Sequence, residues 1–405
     1  MHQEMYLKAL MLYLLTWITV AYQPDQNFIK MKTNSGAMGS SIFFNITGNV
    51  YPLGYYTVEI SIGDPPTGPY VFNIDSGTDH LTWFNCFGSD YVLVPDNLVS
   101  CDDRACASLG GMRMDGDCAV CKYNVNYTES RSSTGLLVKD SFHLQLNNGT
   151  MIAPRLAFGC GVPKSNEVSI HQPIKDGVLG LGKGEPSILK QLHNISVVRN
   201  VVGHCLSNVS GGYIFFGYHR PISGVVWKKI LSSAKQYSLG KANILLGDEA
   251  TDIKGLDIIF NTGNTYTYLK SEAYNTLLDL VYKNINGKLS DANDDKTLPV
   301  CWKDVMPIQT IAQVASAFLS ITLNFTDDVN NVVQFEMLPE SYLIVTDKYN
   351  VCLGILNGTG VGLEDMSVIG DISMQNKLVI YDNENEMVGW AAVDTCSMPT
   401  TSFDQ

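Results

Sequence analysis

A distant internal repeat constrains the fold of this chain more than any other feature of its sequence. Phe72-Asn73-Ile74 runs into Asp75-Ser76-Gly77, and Ile258-Ile259-Phe260 runs into Asn261-Thr262-Gly263. Each of these apolar runs, ending in a small polar triplet, is followed at long range by two apolar residues and a glycine: Val178-Leu179-Gly180 in the first half, Val368-Ile369-Gly370 in the second. The separations are alike, 103 residues from Asp75 to Val178 and 107 from Asn261 to Val368. Solenoid and propeller units repeat every ~20–50 residues, so a repeat this long marks duplication of a whole lobe. The 405 residues allow two domains or one bilobal body, at roughly 100–200 residues per domain.

The local patterns are those of a mostly β chain. Tyr56, Val58, Ile60 and Ile62 alternate with Thr57, Glu59 and Ser61, the period of a half-buried strand. Short strand-like runs with Gly or Asn-Gly turns continue to the end, among them Phe142–Leu146 before Asn148-Gly149. The clearest helix is predicted over Ser271–Asn286, capped by Ser271 and ended by Gly287, with Ala273, Tyr274, Leu277, Leu278, Val281 and Ile285 on one apolar face. A second is predicted over Pro186–Asn194. The expected divisions are a signal peptide over 1–21, a short polar leader over 22–50, an N-terminal lobe over 51–221 and a C-terminal lobe over 222–405. The junction falls where His219-Arg220-Pro221-Ile222-Ser223-Gly224 breaks the strand pattern.

Charge and cysteine content narrow the setting. A net charge of −13 argues against nucleic acid and anionic membranes as partners. The apolar run Ala9–Ala21 has 13 residues, too few to span about 30 Å of hydrocarbon but of signal-peptide length. Ten cysteines fit an oxidising compartment, and five of them crowd between Cys86 and Cys121. Cys118-x-x-Cys121 has neither a second pair at finger spacing nor a histidine cluster to complete a zinc site, so disulfides are expected and no metal or cofactor is called for. Seven Asn-x-Ser/Thr sequons, at Asn45, Asn126, Asn148, Asn194, Asn208, Asn324 and Asn357, support secretion weakly. Gly177 to Gly184 is one residue short of a phosphate loop and lacks the hydroxyl that would meet Mg²⁺. No G-x-S-x-G elbow is present.

Asp75-Ser76-Gly77-Thr78, with Trp83 following, resembles the first active-site loop of pepsin-like aspartic peptidases. Asp176-Gly177-Val178-Leu179-Gly180-Leu181-Gly182 and Val368-Ile369-Gly370-Asp371 resemble the family's apolar-apolar-glycine segments. Tyr127, ahead of Ser132-Ser133-Thr134-Gly135, resembles the flap tyrosine, with Trp83 as its usual neighbour. The stretches 45–56, 301–303 and 369–390 are most similar to the nucellin-like plant branch. The resemblance covers about residues 48–396. It implies a bilobal, mostly β acid-protease fold with a central cleft, an extended polypeptide as ligand, and a Cys301–Cys352 disulfide in the second lobe. It also implies two carboxylates, one per lobe, that share one proton over a water: the ionised group activates the water and its protonated partner polarises the peptide carbonyl.

The second loop departs from that pattern. Asn261-Thr262-Gly263-Asn264 has an amide where the family has its second aspartate, and Asn264 where a hydroxyl is usual. An amide hydrogen-bonds but cannot surrender a proton, so severely impaired proteolysis is expected, the alternative being an acid endopeptidase working through Asp75 alone. Asp75 is also expected to lack a like-charged neighbour and to titrate as a single carboxyl. After Tyr127 the usual flap glycines are replaced by Thr128, Glu129 and Ser130, and Asn126 reads as an unused sequon in a buried strand. The insert after Trp83 is shortened, which puts the usual partner of Cys86 in doubt. A secreted or vacuolar monomer, without a membrane span in the mature chain, completes the reading. Terminal sequencing of the purified protein is expected to begin after about Ala21; a chain that retains Met1 or Leu10 would refute the signal peptide.

Overall fold

Strands with alternating burial build most of the molecule. The structure is a computed structural model that describes residues 40–77, 81–110, 113, 119–126, 131–165, 175–217, 223–326 and 332–399. The proposed signal peptide, most of the leader, the junction residues 218–222, Thr78, Cys118 and Tyr127 lie outside the described residues. Strand Tyr55–Ile62 buries Tyr56, Val58, Ile60 and Ile62 and exposes Glu59. It pairs antiparallel with Thr67–Asp75, Thr57 facing Asn73 and Val58 facing Phe72. The architecture is mostly β and two-lobed, of the pepsin-like type.

Six strands form a common base that joins the two halves of the sequence. In spatial order they are Val226–Lys229, Met387–Ala392, Lys377–Asp382, Val201–Leu206, Gly212–Gly217 and Ser41–Asn49, each antiparallel to the next. The last of these corrects the leader reading. Ser41–Asn49 falls within the polar stretch 22–50, yet it pairs through Ser41–Ile46 with Gly212–Gly217 and through Thr47–Asn49 with the strand Tyr55–Ile62, and it buries Ile42 and Ile46. Its Asn, Ser and Gly residues hide the pattern because an antiparallel strand needs only one apolar face. The Cys205–Cys396 disulfide pins the C-terminal segment against this base. Cys86–Cys160, Cys106–Cys121 and Cys301–Cys352 are the other bridges between described cysteines. Cys301 and Cys352 face each other directly across neighbouring antiparallel strands.

The helices form where expected but with different ends. The long one spans Ser271–Ile285, with Ala273, Tyr274, Leu277, Val281 and Ile285 buried; Leu278 is only half-buried. Ser271 is its first helical residue rather than its cap, and its hydroxyl instead accepts from Asn357 Nδ2 at 3.2 Å. Asn286, at φ 46°, takes the C-terminal cap, and Gly287 follows it at φ 75°, so two left-handed residues end the helix. The second helix is Ile188–Asn194; the Ser187 hydroxyl caps it by accepting from Lys190 N, so Pro186 lies just outside.

One buried group in the base makes stability depend on pH. His204 is 1% exposed; its Nε2 lies 3.3 Å from Tyr381 Oη and its Nδ1 has no hydrogen-bond partner among the described residues. Burial holds the imidazole neutral and lowers its pKa from 6.5 to about 3. The unfolded chain takes up a proton below about 6.5 while the folded chain resists it, so stability falls as pH drops from 6.5 towards 3. The loss accumulates at about 1.4 kcal/mol per pH unit. His204→Phe is expected to flatten this acid limb of the melting temperature against pH; parallel curves for parent and variant would show that His204 is not its source.

Candidate active site

Two strand ends bring the repeat's triplets together. Strand Thr67–Asp75 delivers Asp75 and pairs parallel with Gly177–Gly180, so Asp75 faces Gly180 and Leu181 N donates to Asp75 O at 2.8 Å. Strand Leu256–Phe260 pairs parallel with Ser367–Ile369, and Asn261 N donates to Ile369 O at 3.0 Å. Each apolar-apolar-glycine segment is crossed from the other side by a short strand: Trp83 opposes Val178, and Tyr268 opposes Val368. A buried threonine hydroxyl supports each glycine. Thr82 Oγ1 accepts from Gly180 N at 3.1 Å and Thr267 Oγ1 from Gly370 N at 3.2 Å. Thr82 and Thr267 were not singled out from the sequence; aligning the two halves beyond the triplets would have found them.

The loops that follow the strands are joined reciprocally. Ser76 N donates to Thr262 Oγ1 at 3.0 Å and Thr262 N to Ser76 Oγ at 3.1 Å, with both residues buried. Within each loop the glycine amide binds the first residue's side chain: Gly77 N donates to Asp75 Oδ1 at 2.9 Å and Gly263 N to Asn261 Oδ1 at 2.6 Å. Both glycines are required by proximity. A Cβ on Gly77 would stand 2.0 Å from the Asn261 side chain, and one on Gly263 would stand 2.5 Å from Asp75 Oδ1. Each loop thus rests on the residue that heads the other, and Asp75 and Asn261 meet across the lobes. The Asn261 amide donates from Nδ2 to Asn264 Oδ1 at 2.7 Å. Of the residues expected at the site, Asp75, Ser76, Gly77, Asn261, Thr262, Gly263 and Asn264 converge here. Trp83 is fully buried one strand away, and Thr78 and Tyr127 lie outside the described residues. Asn126 ends strand Lys122–Asn126 exposed rather than buried, because the alternation there buries Tyr123 and Val125.

Behind the loops lies a buried polar layer that sequence reasoning missed. Tyr381 Oη sits 3.4 Å from Ser76 Oγ, and Tyr237 Oη donates to Leu181 O at 3.0 Å. Asp371, whose N donates to Asn264 O at 2.8 Å, is completely enclosed. Burial, and secondarily the charge of Asp75, raises its carboxyl well above the usual carboxylate range. The signal was present in the repeat, since Asp371 occupies the position that Leu181 holds in the first half.

A cavity of about 680 Å³ opens beside the second loop, lined among others by Tyr51, Tyr266, Tyr282 and Asp291. Thr265 Oγ1 donates to Gly54 O at 2.6 Å at its edge. Asp295, Cys301 and Cys352 cluster nearby, but the disulfide leaves no thiolate for a metal. Although burial opposes it, hydrogen bonds from Thr346, Asn350 and Thr297 hold the Asp295 carboxyl below its usual range.

The fold and loop geometry agree with comparison to known proteins. Residues 56–218 match the family described as Xylanase inhibitor N-terminal, and 233–392 that described as Xylanase inhibitor C-terminal. An aspartic proteinase of Oryza sativa subsp. japonica is 36% identical over 376 residues, covering 87% of this chain and 90% of that protein. Aspartic proteinase 36 of Arabidopsis thaliana is 26% identical, with 84% and 74% covered. In structure the chain is similar to basic 7S globulin from soybean, at TM-score 0.70 and 15% identity over 89% of this chain and 99% of that one. It is also similar to the aspartic proteinase from Irpex lacteus, at TM-score 0.64 and 16% identity over 88% and 98%. With two lobes each presenting one such loop, and relatives that match along most of both chains, this protein belongs to the pepsin-like aspartic peptidase family.

Proposed function

We propose that this chain holds an extended polypeptide in the cleft between its lobes and hydrolyses it poorly or not at all, because Asn261 occupies the place of the second catalytic carboxylate. The observation that carries this reading is the juxtaposition of Asp75 with an amide that is held by its own loop. Asn261 Oδ1 accepts from Gly263 N, and Nδ2 donates to Asn264 Oδ1. In the peptidase reaction one carboxylate activates water while a protonated partner polarises the scissile carbonyl and shuttles the proton as the intermediate collapses. Asp75 retains the first capability. Asn261 can still offer an N–H, but the proton transfer has no donor at this position. General acid–base help of this kind supplies ~10²–10⁴ in rate, and losing one member of a cooperating pair often costs more.

The binding function does not need that proton. The loops are aligned by Ser76 and Thr262 whatever stands at 261. The chain is further proposed to enter the secretory pathway behind the signal peptide 1–21, with lobes 51–221 and 222–405 and destination outside the cell or in a vacuole. Its disulfides and its plant proteinase relatives are consistent with that route.

The full-length parent is expected to cleave denatured protein little or not at all at acid pH. Asn261→Asp should raise the rate by about 10²-fold or more. Asn264 should limit this gain, because its Oδ1 would then face a carboxylate and the amide would have to turn over to donate. Adding Asn264→Ser, which supplies a hydroxyl, should raise the rate further. The reading fails if the parent, with Asn261 verified by mass, turns over at ~1 s⁻¹ or more and loses that activity in Asp75→Ala.

A further inference from the structure

The tripeptide Asn-Gly-Thr occurs twice in this chain, at Asn148-Gly149-Thr150 and at Asn357-Gly358-Thr359. Both copies fit the acceptor pattern for N-linked glycosylation. Both also adopt the same local turn, in which the asparagine side chain accepts from the main chain two residues on. Thr150 N donates to Asn148 Oδ1 at 3.0 Å, and Thr359 N donates to Asn357 Oδ1 at 2.9 Å. Sequence and local conformation therefore do not tell the two apart.

Their surroundings do. Asn148 lies on the turn after strand Arg131–Gln145, and all three residues of its tripeptide are exposed. Gly149 has φ 84°, and a Cβ built on it would meet nothing within 4 Å. The turn is fixed from behind. Gly149 N donates to Leu146 O and Leu146 N to Thr150 O, both at 2.9 Å, and Asn147 N donates to Ser41 O at 2.8 Å. The Asn148 amide is thus held by its oxygen, while its Nδ2 has no hydrogen-bond partner among the described residues.

Asn357 ends strand Ile355–Asn357 half-buried, and Gly358 after it is buried. Its Nδ2 is turned to the Oγ of Ser271, the first residue of the long helix. Gly358 N donates to Leu269 O at 2.8 Å, and Leu363 N donates back to Gly358 O at 3.2 Å. A Cβ on Gly358 would stand 2.8 Å from Leu363 O and 3.0 Å from Leu363 Cβ. A sugar on Asn357 Nδ2 would have to enter the join between this strand end and the helix.

We propose that Asn148 carries an N-linked oligosaccharide in the mature protein and that Asn357 is bare. The donor class is an oligosaccharide carried on a lipid diphosphate. Asn148 Nδ2 forms a bond to the anomeric carbon of the sugar, the bond from that carbon to the diphosphate breaks, the lipid diphosphate leaves, and the amide gives up one proton. The chain is modified before it has folded, so both tripeptides are offered alike and the fold decides between them. A bulky, hydrated oligosaccharide at Asn148 stands in solvent. One at Asn357 parts the helix from its strand, and such a chain does not reach the native state. The inference rests on the secretory route of the proposed function, which brings the chain to the donor, and not on any proteolysis.

The test is a map of occupied asparagines on the full-length chain expressed in plant cells. Enzymatic release of N-glycans in heavy-oxygen water converts each glycosylated asparagine to a labelled aspartate. The peptide that holds Asn148 should carry the label, and the peptide that holds Asn357 should keep an unlabelled asparagine. Thr150→Ala and Thr359→Ala each destroy one acceptor pattern and keep the main-chain N–H that holds the turn. Both threonines are exposed, so neither change disturbs packing. Thr150→Ala should lower the mass of the secreted protein by one oligosaccharide, and Thr359→Ala should lower it by no sugar at all. The other sequons are the same in both variants, so the comparison isolates these two. Label at Asn357, or an unlabelled Asn148 in a chain that has lost residues 1–21, overturns the inference and leaves the secretory route standing. A chain that keeps Met1 and bears no glycan at any sequon overturns both.

Discussion

Two hydrogen bonds between Ser76 and Thr262 hold the molecule's two halves in register at its centre. Each loop's main-chain N–H is satisfied by the other's hydroxyl, in a place closed to water. A buried donor or acceptor left unmade costs ~1–3 kcal/mol, and parting the loops would strand four such groups. The side chains of Asp75 and Asn261 are thereby brought to one place from the two halves. Gly77 and Gly263 let that happen, since any side chain on either would collide with the residue opposite.

Around this crossing the duplication is kept at the level of geometry. Thr82 and Thr267 perform the same service for Gly180 and Gly370, and Trp83 and Tyr268 cross Val178 and Val368 in the same sense. Chemistry is distributed unequally over that symmetrical frame. The first half contributes a carboxylate at the loop and leucine behind it; the second contributes an amide at the loop and a carboxyl behind it.

Much of the frame was legible in the sequence because it depends on short stretches of chain. An apolar strand that must end in a tight, close-packed turn selects small residues and glycine, and that signature survives twice. The helix over Ser271–Ile285 was visible from its apolar face, whereas its start was misread. Ser271 looks like a cap by residue type, but its hydroxyl is engaged by Asn357, 86 residues away. Strand Ser41–Asn49 was hidden for a similar reason: most of it, Ser41–Ile46, pairs with Gly212–Gly217, which is distant in sequence. At the site, the residues of the triplets were readable and those that support them were not. Thr82 lies seven residues after Asp75 and Tyr381 more than 300. Nothing local marks a hydroxyl that will serve a glycine amide on another strand. Asp371 stood in a motif already recognised, and only its contrast with Leu181 reveals that a charged residue type has been placed in core.

The same crossing has a bearing on how such a site changes over time. The bonds that align the loops run through Ser76, Thr262 and the two glycine amides; residue 261 contributes an acceptor oxygen that asparagine and aspartate both possess. The bonds that align the loops are therefore nearly blind to which of them is present, and an aspartate would forgo only the bond from Nδ2 to Asn264 and add a charge beside Asp75. Selection against misfolding thus acts on the position through those two differences, and selection for catalysis acts on it directly. Asparagine and aspartate codons differ by a single base, so a lineage that needs the cleft but not the cut can cross between them in one step, and back again, without rebuilding the scaffold.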